Sequence, residues 1–212
     1  MERLLQKADS AMYAAKASGR STLRFFTPQM QHEADARLKL VSELRNALLR
    51  CEYELFYQPI VRLEDERVSS YEALLRWNHP DGKLRNPDQF LSQLEESGLI
   101  TEVGSHVLKS VGDCLVQQKL PRCSVNVSAK QFRNGDMHDK VSALLAQLQL
   151  PPDRLILEVT ESLLLEPDSM NMRQLHAIHD MGIDLYLDDF GTGYSSLNYL
   201  RSFPVKALKI DR

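Results

Sequence analysis

From residue 54 onward, the hydrophobic and polar positions of the chain follow two patterns that take turns. Short segments rich in Val, Ile, Leu and Tyr are typical of β-strands. The longer segments between them place apolar residues three or four positions apart, as amphipathic helices do. The patterns predict strands at 55–61, 68–76, 123–128, 154–160, 183–189 and 205–211, and helices at roughly 87–96, 99–119, 138–149, 168–181 and 194–202.

The order of these segments predicts an α/β fold, because strands that alternate with helices form a parallel sheet. The first two strands are an exception, since only Arg62–Arg67 separates them and a parallel crossover needs more residues. A closed barrel of this kind needs about eight strands and roughly 250 residues, whereas the chain has 212 residues. We therefore predict a TIM-like (β/α) barrel with an antiparallel first strand pair, incomplete on its C-terminal side.

The first 50 residues have a different pattern. A helix-like run at 2–20 ends at Gly19, and a short strand-like piece at 22–26 follows it. Residues 29–50 again show helical periodicity, in a helix that either covers the following domain or forms a dimer seam. We predict a remnant of another domain at 1–27, a linker or N-terminal helix at 28–50, and the α/β domain at 51–212.

Composition narrows the class of protein. Hydrophobic residues make up 43% of the chain and charged residues 26%, which is the balance of a globular protein. A net charge of −3 argues against capture of nucleic acid polymers but leaves a small anionic ligand open. We see no membrane-spanning run or signal peptide. The three cysteines have no CxxC spacing, which fits reduced thiols in a cytoplasmic chain.

Acidic and amide side chains recur near the downstream ends of the predicted strands. In parallel barrels these ends meet at one mouth, where active sites are found. Two carboxylates 4 Å apart repel by about 4 kcal/mol in a protein-like dielectric, so four of them need cations to stay ionised together. Oxygen ligands suit Mg²⁺ or Mn²⁺, and two such ions can activate water against a phosphodiester. The residues are Glu72, Asn126, Glu158, Asp188 and Asp189, with Glu161, Lys209 and Asp211 nearby.

Three further features are weaker signals. Gln58 and Arg76 lie near strand ends and have donors that could hold a phosphate or a base edge. The segment 188–196 leaves a strand, passes Gly191 and Gly193, and could cradle a phosphate. Each of these features, taken alone, is equally compatible with a structural role.

Together these motifs resemble the EAL domain family. Glu72-Ala73-Leu74-Leu75-Arg76-Trp77 is similar to the signature that names the family. Five other segments are similar to further motifs of the family, in the same order: Tyr57-Gln58-Pro59-Ile60, Asn126-Val127-Ser128, Glu158-Val159-Thr160-Glu161, Asp188-Asp189-Phe190-Gly191-Thr192-Gly193 and Lys209-Ile210-Asp211. The leading piece, from Ala8 to Arg20, resembles the closing helix of GGDEF diguanylate cyclase domains, although the GGDEF signature itself is absent.

The resemblance implies hydrolysis of cyclic di-GMP to linear pGpG with two metal ions, Mg²⁺ or Mn²⁺. By motif, one ion would be held by Glu72, Asn126, Glu158 and Asp188, and the second by Asp188 and Asp189. Lys209 would orient the attacking water, and Glu161 would hold the 189–196 loop, which couples metal binding to dimer contacts in the family. Gln58 and Arg76 would contact the dinucleotide, and the resemblance also implies a homodimer.

The family pattern continues beyond Arg212 with one strand that carries a Glu and another that carries a substrate-contacting Gln. We therefore expect feeble or no turnover by residues 1–212. Two other functions remain open: a receptor that binds cyclic di-GMP without cutting it, and an interaction scaffold that uses the 29–50 helix. Loss of a metal ligand would favour the receptor, and the sequence retains every ligand in the part shown.

Overall fold

The computed structural model of the chain describes Leu5, residues 7–9, 11–12, 15, 23–133, 135–161, Leu163, residues 169–191 and residues 203–210. It divides into two compact units, Met1–Arg50 and Cys51–Arg212. In the described part of the chain, no helix is both long enough and apolar enough to cross a membrane. The predicted helix at 194–202, the 192–196 part of the glycine loop and Asp211 lie outside the described residues.

In the first unit, helix α1 spans Pro28–Leu49 and confirms the helix predicted at 29–50. Thr27 caps it, because its hydroxyl oxygen accepts a hydrogen bond from the Met30 backbone N–H at 3.4 Å. Pro28 occupies the first turn, where its missing N–H costs nothing. The assignment of residues 1–27 to another domain stays a prediction.

The second unit is built on one sheet in the order β1-β2-β4-β5-β6-β7, with β3 paired to β2. The first strand pair is antiparallel, and the pairs from β2–β4 to β6–β7 are parallel, as predicted. Among the described strands the sheet does not close into a barrel. The strands are β1 Tyr53–Val61, β2 Val68–Asn78, β3 Leu84–Arg85, β4 Cys123–Val127, β5 Leu155–Thr160, β6 Asp184–Phe190 and β7 Val205–Ile210.

Helices connect the parallel strands. Gly98, which adopts a left-handed conformation with φ of 80°, ends α2 before α3 begins. Gly104 in α3 faces the side chain of Gln131 so closely that an added Cβ would lie 2.2 Å from its Nε2 atom. The described helices of this unit are α2 Leu91–Ser97, α3 Ile100–Val116, α4 Ala129–Phe132, α5 Met137–Leu148 and α6 Ser169–Asp180, with short 3₁₀ turns at Pro87–Gln89 and Pro152–Arg154.

The centre of the sheet is buried on both faces. In β5 the first five residues, Leu155–Val159, are all buried, and in β4 only Asn126 is exposed. Strands covered on both faces read as continuous apolar runs, which is why these two were easy to predict. A charged side chain on such a strand must have a partner, because burying an unpaired charge costs several kcal/mol. Glu158 is that charged side chain, and it lies in the middle of the candidate site.

Candidate functional site

Three carboxylates from three strands meet at one edge of the sheet. Glu72 of β2, Glu158 of β5 and Asp188 of β6 each place an oxygen within 4.8 Å of the others. The parallel register causes this meeting, since Asn126 is level with Glu158 and Thr160 is level with Asp188. Side chains two residues apart on a strand share a face. The predicted convergence of strand-end acids is therefore present for these three residues.

Lys209 of β7 lies among the three carboxylates. Its Nζ atom is 2.5 Å from Glu158 Oε2, 3.1 Å from Glu72 Oε2 and 3.1 Å from Asp188 Oδ2. One ammonium group therefore faces three carboxylates, which leaves a net charge of about −2 if all are ionised. We call these four side chains the carboxyl-end cluster, because they lie toward the carboxyl ends of the parallel strands.

Burial and pairing act in opposite directions on the protonation of this cluster. Burial raises the pKa of Glu158, and the side chains of Lys209 and Ser124 oppose this effect only in part. Burial alone would lower the pKa of Lys209, but its hydrogen bond to Glu158 and the negative charges of Glu158, Glu72 and Asp188 raise it overall. Lys209 is therefore a fixed positive charge at neutral pH, and Glu158 is the acid whose charge is most costly.

One oxygen of Glu158 has no hydrogen-bond partner among the described residues. The Glu158 side chain is 0% exposed, and its Oε1 atom has no hydrogen bond in the described structure. A buried carboxylate oxygen without a partner is rare in proteins and calls for an explanation, such as an ion. Asn126 lies beside it, with its Nδ2 atom donating to Glu72 Oε1 at 2.8 Å. That hydrogen bond fixes which end of the amide faces Glu72 and leaves Oδ1 available as an oxygen ligand.

Two predicted site residues lie just beyond this group. Asp189 is exposed and has a φ of 55°, a left-handed conformation that is uncommon outside glycine. Its backbone N–H donates to Asp188 Oδ1 at 3.0 Å, but its carboxylate is not part of the three-acid group. Glu161 is 7% exposed, and its Oε2 accepts a hydrogen bond from the Gly191 N–H at 3.4 Å. Glu161 thus contacts the start of the loop that it was predicted to hold.

Gln58 and Arg76 lie on the antiparallel hairpin formed by β1 and β2, which also carries Glu72. Gln58 is directly opposite Glu72 in the antiparallel register, and its side chain is exposed. Arg76 donates from Nη1 to the Leu75 carbonyl at 2.9 Å, and its guanidinium lies 5.6 Å from the centre of the Phe56 ring. The described contacts of Arg76 are therefore with its own hairpin, and its proposed role in substrate binding stays a prediction.

A cavity of about 230 Å³ opens beside the acids and includes residues that the sequence did not single out. Its wall contains Asn126, Glu158 and Asp188 together with Glu95 of α2 and Ser128. Ser128 donates from Oγ to Glu95 Oε1 at 2.6 Å. These two residues are 33 positions apart, and no local pattern in the sequence connects them.

Comparisons with known proteins agree with this arrangement. Residues 41–212 match the EAL domain family. The chain is 41% identical over 217 residues to the bifunctional diguanylate cyclase/cyclic di-GMP phosphodiesterase MucR of Pseudomonas aeruginosa, covering 99% of this chain and 31% of that protein. It is 36% identical over 213 residues to the cyclic di-GMP phosphodiesterase PdeR of Escherichia coli, covering 99% and 32% respectively. The chain spans about a quarter to a third of the length of the curated relatives it matches.

Solved structures give the same result for the fold. The MucR phosphodiesterase in its c-di-GMP complex superposes with a TM-score of 0.77 at 39% identity, covering 82% of this chain and 72% of that one. The EAL domain of FimX from Xanthomonas citri, also in complex with c-di-GMP, superposes with a TM-score of 0.75 at 27% identity, covering 86% and 72%. The predicted family and the predicted TIM-like α/β fold class are confirmed.

Proposed function

The chain belongs to the EAL domain family, and from this premise we propose that it is a phosphodiesterase domain that hydrolyses cyclic di-GMP to linear pGpG with the help of divalent metal ions. The observation that carries the proposal is the carboxyl-end cluster, where three carboxylates share one ammonium group. Relatives named as cyclic di-GMP phosphodiesterases and a relative solved with c-di-GMP support the choice of substrate.

The residues at this edge fit a metal site. Within the described part of the chain, Glu158 Oε1 and Asn126 Oδ1 have no hydrogen-bond partner, so they can serve as oxygen ligands of the kind that Mg²⁺ and Mn²⁺ prefer, and the excess of negative charge favours a cation. We propose that one ion is held by Glu72, Asn126, Glu158 and Asp188, and a second by Asp188 and Asp189. Bound there, the ions would lower the pKa of a coordinated water and neutralise charge on the phosphodiester.

The remaining residues have roles that this chain can perform itself. Lys209 already reaches three carboxylates, so a small movement of its flexible stem lets it donate a hydrogen bond to the attacking water. Glu161 would hold the 189–196 loop, a role supported by the hydrogen bond that its carboxylate accepts from the Gly191 N–H. Gln58 and Arg76 provide donors for the phosphates or bases of the dinucleotide.

Several wider assignments belong to the same proposal. They are a homodimer, a cytoplasmic location, a GGDEF remnant at 1–27, a linker helix at 28–50 and the EAL domain at 51–212. A receptor function without catalysis has no observation in its favour, because none of the predicted metal ligands in this part of the family pattern is replaced.

The test is to measure binding and turnover separately with purified chain. Isothermal titration with cyclic di-GMP in Ca²⁺ reports binding, and chromatography of reactions in Mg²⁺ or Mn²⁺ reports pGpG. We expect binding, together with at most slow turnover that disappears in Glu158→Gln and persists in the matched surface variant Glu96→Gln. Even slow turnover decides the question if it depends on Glu158. Binding without turnover indicates a receptor, and the absence of both contradicts the proposal.

A further inference from the structure

Glu95 of helix α2 forms hydrogen bonds with the turn that follows β4. Ser128, the first residue after β4, donates its hydroxyl proton to Glu95 Oε1 at 2.6 Å. Hydrogen bonds from a hydroxyl to a carboxylate are the short and strong ones in proteins, and this length is typical of them. Glu95 therefore fixes the direction of the Ser128 hydroxyl.

The same residue also holds the turn through its backbone. The Glu95 carbonyl accepts a hydrogen bond from Lys130 Nζ at 2.8 Å, in addition to the bond from the Gly98 N–H that ends α2. Glu95 thus contacts two residues of the turn, Ser128 and Lys130, with two different groups. We call Glu95, Ser128 and Lys130 the β4 turn clamp.

The turn has little internal freedom once Glu95 holds it. The Ser128 hydroxyl, which donates a hydrogen bond to Glu95, also accepts one from the Lys130 backbone N–H at 3.3 Å. The Ser128 N–H donates to Gln131 Oε1 at 3.0 Å, which completes a capping box on α4. The Ser128 hydroxyl is therefore held by Glu95 and Lys130, and the Ser128 N–H is held by Gln131.

Asn126 lies next to this turn. It lies two residues before Ser128, and its exposed amide makes one hydrogen bond within the described structure, to Glu72. Beyond that single side-chain contact, the direction of the amide depends on the β4 backbone, which pairs with β5 as far as Val127 and then enters the clamped turn. The cavity wall contains Glu95, Asn126 and Ser128 together, so the clamp and the amide lie on the same surface.

We propose that Glu95 is a positioning residue, which through Ser128 holds the end of β4 so that the Asn126 amide keeps Nδ2 on Glu72 and Oδ1 available as a ligand. The inference rests on the proposed function in one respect, which is that Asn126 is a ligand of a metal ion. The geometric part, that Asn126 loses its fixed direction without Glu95, is independent of any metal. Groups that orient a metal ligand typically change affinity by about 10–100-fold when they are removed.

The first measurement uses metal-free protein. The side-chain amide signals of Asn126 in a ¹⁵N-correlated NMR spectrum are assigned by their loss in Asn126→Asp. We expect them to shift or broaden in Glu95→Ala and Ser128→Ala, and to stay in place in Glu96→Ala, which removes an exposed acid from the same helix. Glu95→Gln retains an acceptor oxygen for Ser128 and should retain the wild-type signals. This rescue separates positioning from a general effect of charge.

The second measurement is Mn²⁺ affinity by isothermal titration of the same variants. We expect about tenfold weaker binding in Glu95→Ala and little change in Glu95→Gln or Glu96→Ala. The double variant Glu95→Ala/Ser128→Ala should bind no more weakly than Ser128→Ala alone, because Ser128→Ala already removes the hydrogen bond that Glu95→Ala removes. Ser128→Ala serves as the second route if Glu95→Ala does not fold.

The outcomes separate the two proposals. Unchanged Asn126 signals in folded Glu95→Ala and Ser128→Ala overturn the positioning role, whatever the metal does. Shifted signals with wild-type protein that fails to bind Mn²⁺ support the positioning role and contradict the metal-dependent function. Shifted signals with the expected loss of Mn²⁺ affinity support both.

Discussion

The two ends of the parallel strands both carry groups of charged side chains, and the balance of charge differs between them. At the carboxyl ends, Lys209 faces the three acids Glu72, Glu158 and Asp188. At the amino ends the ratio is reversed, because Arg122 and Lys206 both reach the single carboxylate of Asp184. We call these last three residues the amino-end cluster.

The amino-end cluster directs its cations toward groups that satisfy them. Arg122 adds a bond of 2.7 Å to the Asp153 carbonyl, and Lys206 lies 2.8 Å from Asp184. Nearby, Arg154 donates to the Leu115 and Leu120 carbonyls at 3.1 and 2.6 Å and to that of Pro121. These bonds join the 3₁₀ turn Pro152–Arg154 to the end of α3 and to the segment that leads from α3 into β4.

The difference teaches how to distinguish a structural cluster from a functional one. In the amino-end cluster, side chains and carbonyls of the protein itself satisfy the charged groups. The carboxyl-end cluster keeps an excess of negative charge, and among the described residues Glu158 Oε1 has no hydrogen-bond partner. An arrangement that costs free energy in the isolated chain is explained when a ligand completes it. In (β/α) barrels the carboxyl end is also where catalysis takes place, and the amino end contributes to stability.

The largest expected effect comes from Glu158→Gln. Turnover of cyclic di-GMP should fall by at least about 100-fold, because a metal ligand matters more than the groups that orient it. The metal-free melting temperature should not fall, since the substitution removes a costly buried charge and Lys209 still pairs with Glu72 and Asp188. Product analysis and thermal unfolding in chelator measure the two quantities. A large loss of stability would make this residue structural and erase the contrast between the ends.

Lys209→Met should destabilise the metal-free protein by about 2 kcal/mol, because it leaves three carboxylates without their cation. The cost lies below that of a fully buried ion pair because Lys209 is partly exposed. Adding Mn²⁺ should restore most of the loss by supplying positive charge. Lys206→Met is the matched control, because Arg122 still pairs with Asp184 and the effect should be small and independent of metal. Chemical denaturation with and without Mn²⁺ measures both variants, and equal behaviour would contradict the distinction.

Asp184→Asn tests the amino-end cluster directly. It leaves two cations without a carboxylate and should cost about 1 kcal/mol of unfolding free energy, a modest amount because Arg122 and Lys206 are partly exposed. Mn²⁺ affinity should remain at the wild-type value. Denaturation and titration calorimetry on one preparation measure both, and weaker Mn²⁺ binding would show that the two ends are coupled.

The smallest effect is expected at Asp81, an exposed acid of the loop after β2 that belongs to neither cluster. A hydrogen bond from the Lys83 N–H, and then contacts with His79 and Arg85, lower the pKa of Asp81 to about 2. Since the folded pKa lies below the ordinary value of about 3.9, the stabilisation is complete above that value and is lost as the pH falls toward 2. The difference in melting temperature between wild type and Asp81→Asn should therefore shrink between pH 5 and pH 2. A difference that is constant over this range would contradict the assignment.

The sequence predicted most of the strands to within two residues, because buried strands are marked by runs of apolar residues. Strand β5 was predicted at 154–160 and spans Leu155–Thr160. The two-residue strand Leu84–Arg85 was missed, since so short a segment has no period to detect. The meeting of Glu72, Glu158 and Asp188 was predictable from strand order and the two-residue repeat of side chains.

Other features of the site depend on contacts that sequence periodicity does not report. The bond between Glu95 and Ser128 joins residues 33 positions apart, and it exists only because α2 lies against the turn after β4. The left-handed backbone at Asp189 is likewise set by its surroundings, since Asp has only a mild preference for it. Arg76, predicted to contact substrate, contacts Leu75 and Phe56 in the described structure, and only a bound ligand can test its role.

The bare backbone of Gly104 has a consequence for how the protein tolerates change. The Gln131 side chain fills the space where a methyl group would be, and that side chain is 4% exposed and accepts the Ser128 N–H. Even alanine at position 104 would force Gln131 out of its place, and the displacement would pass from Gln131 to Ser128. A residue with no side chain of its own thus leaves the room that Gln131 needs to cap the turn after β4.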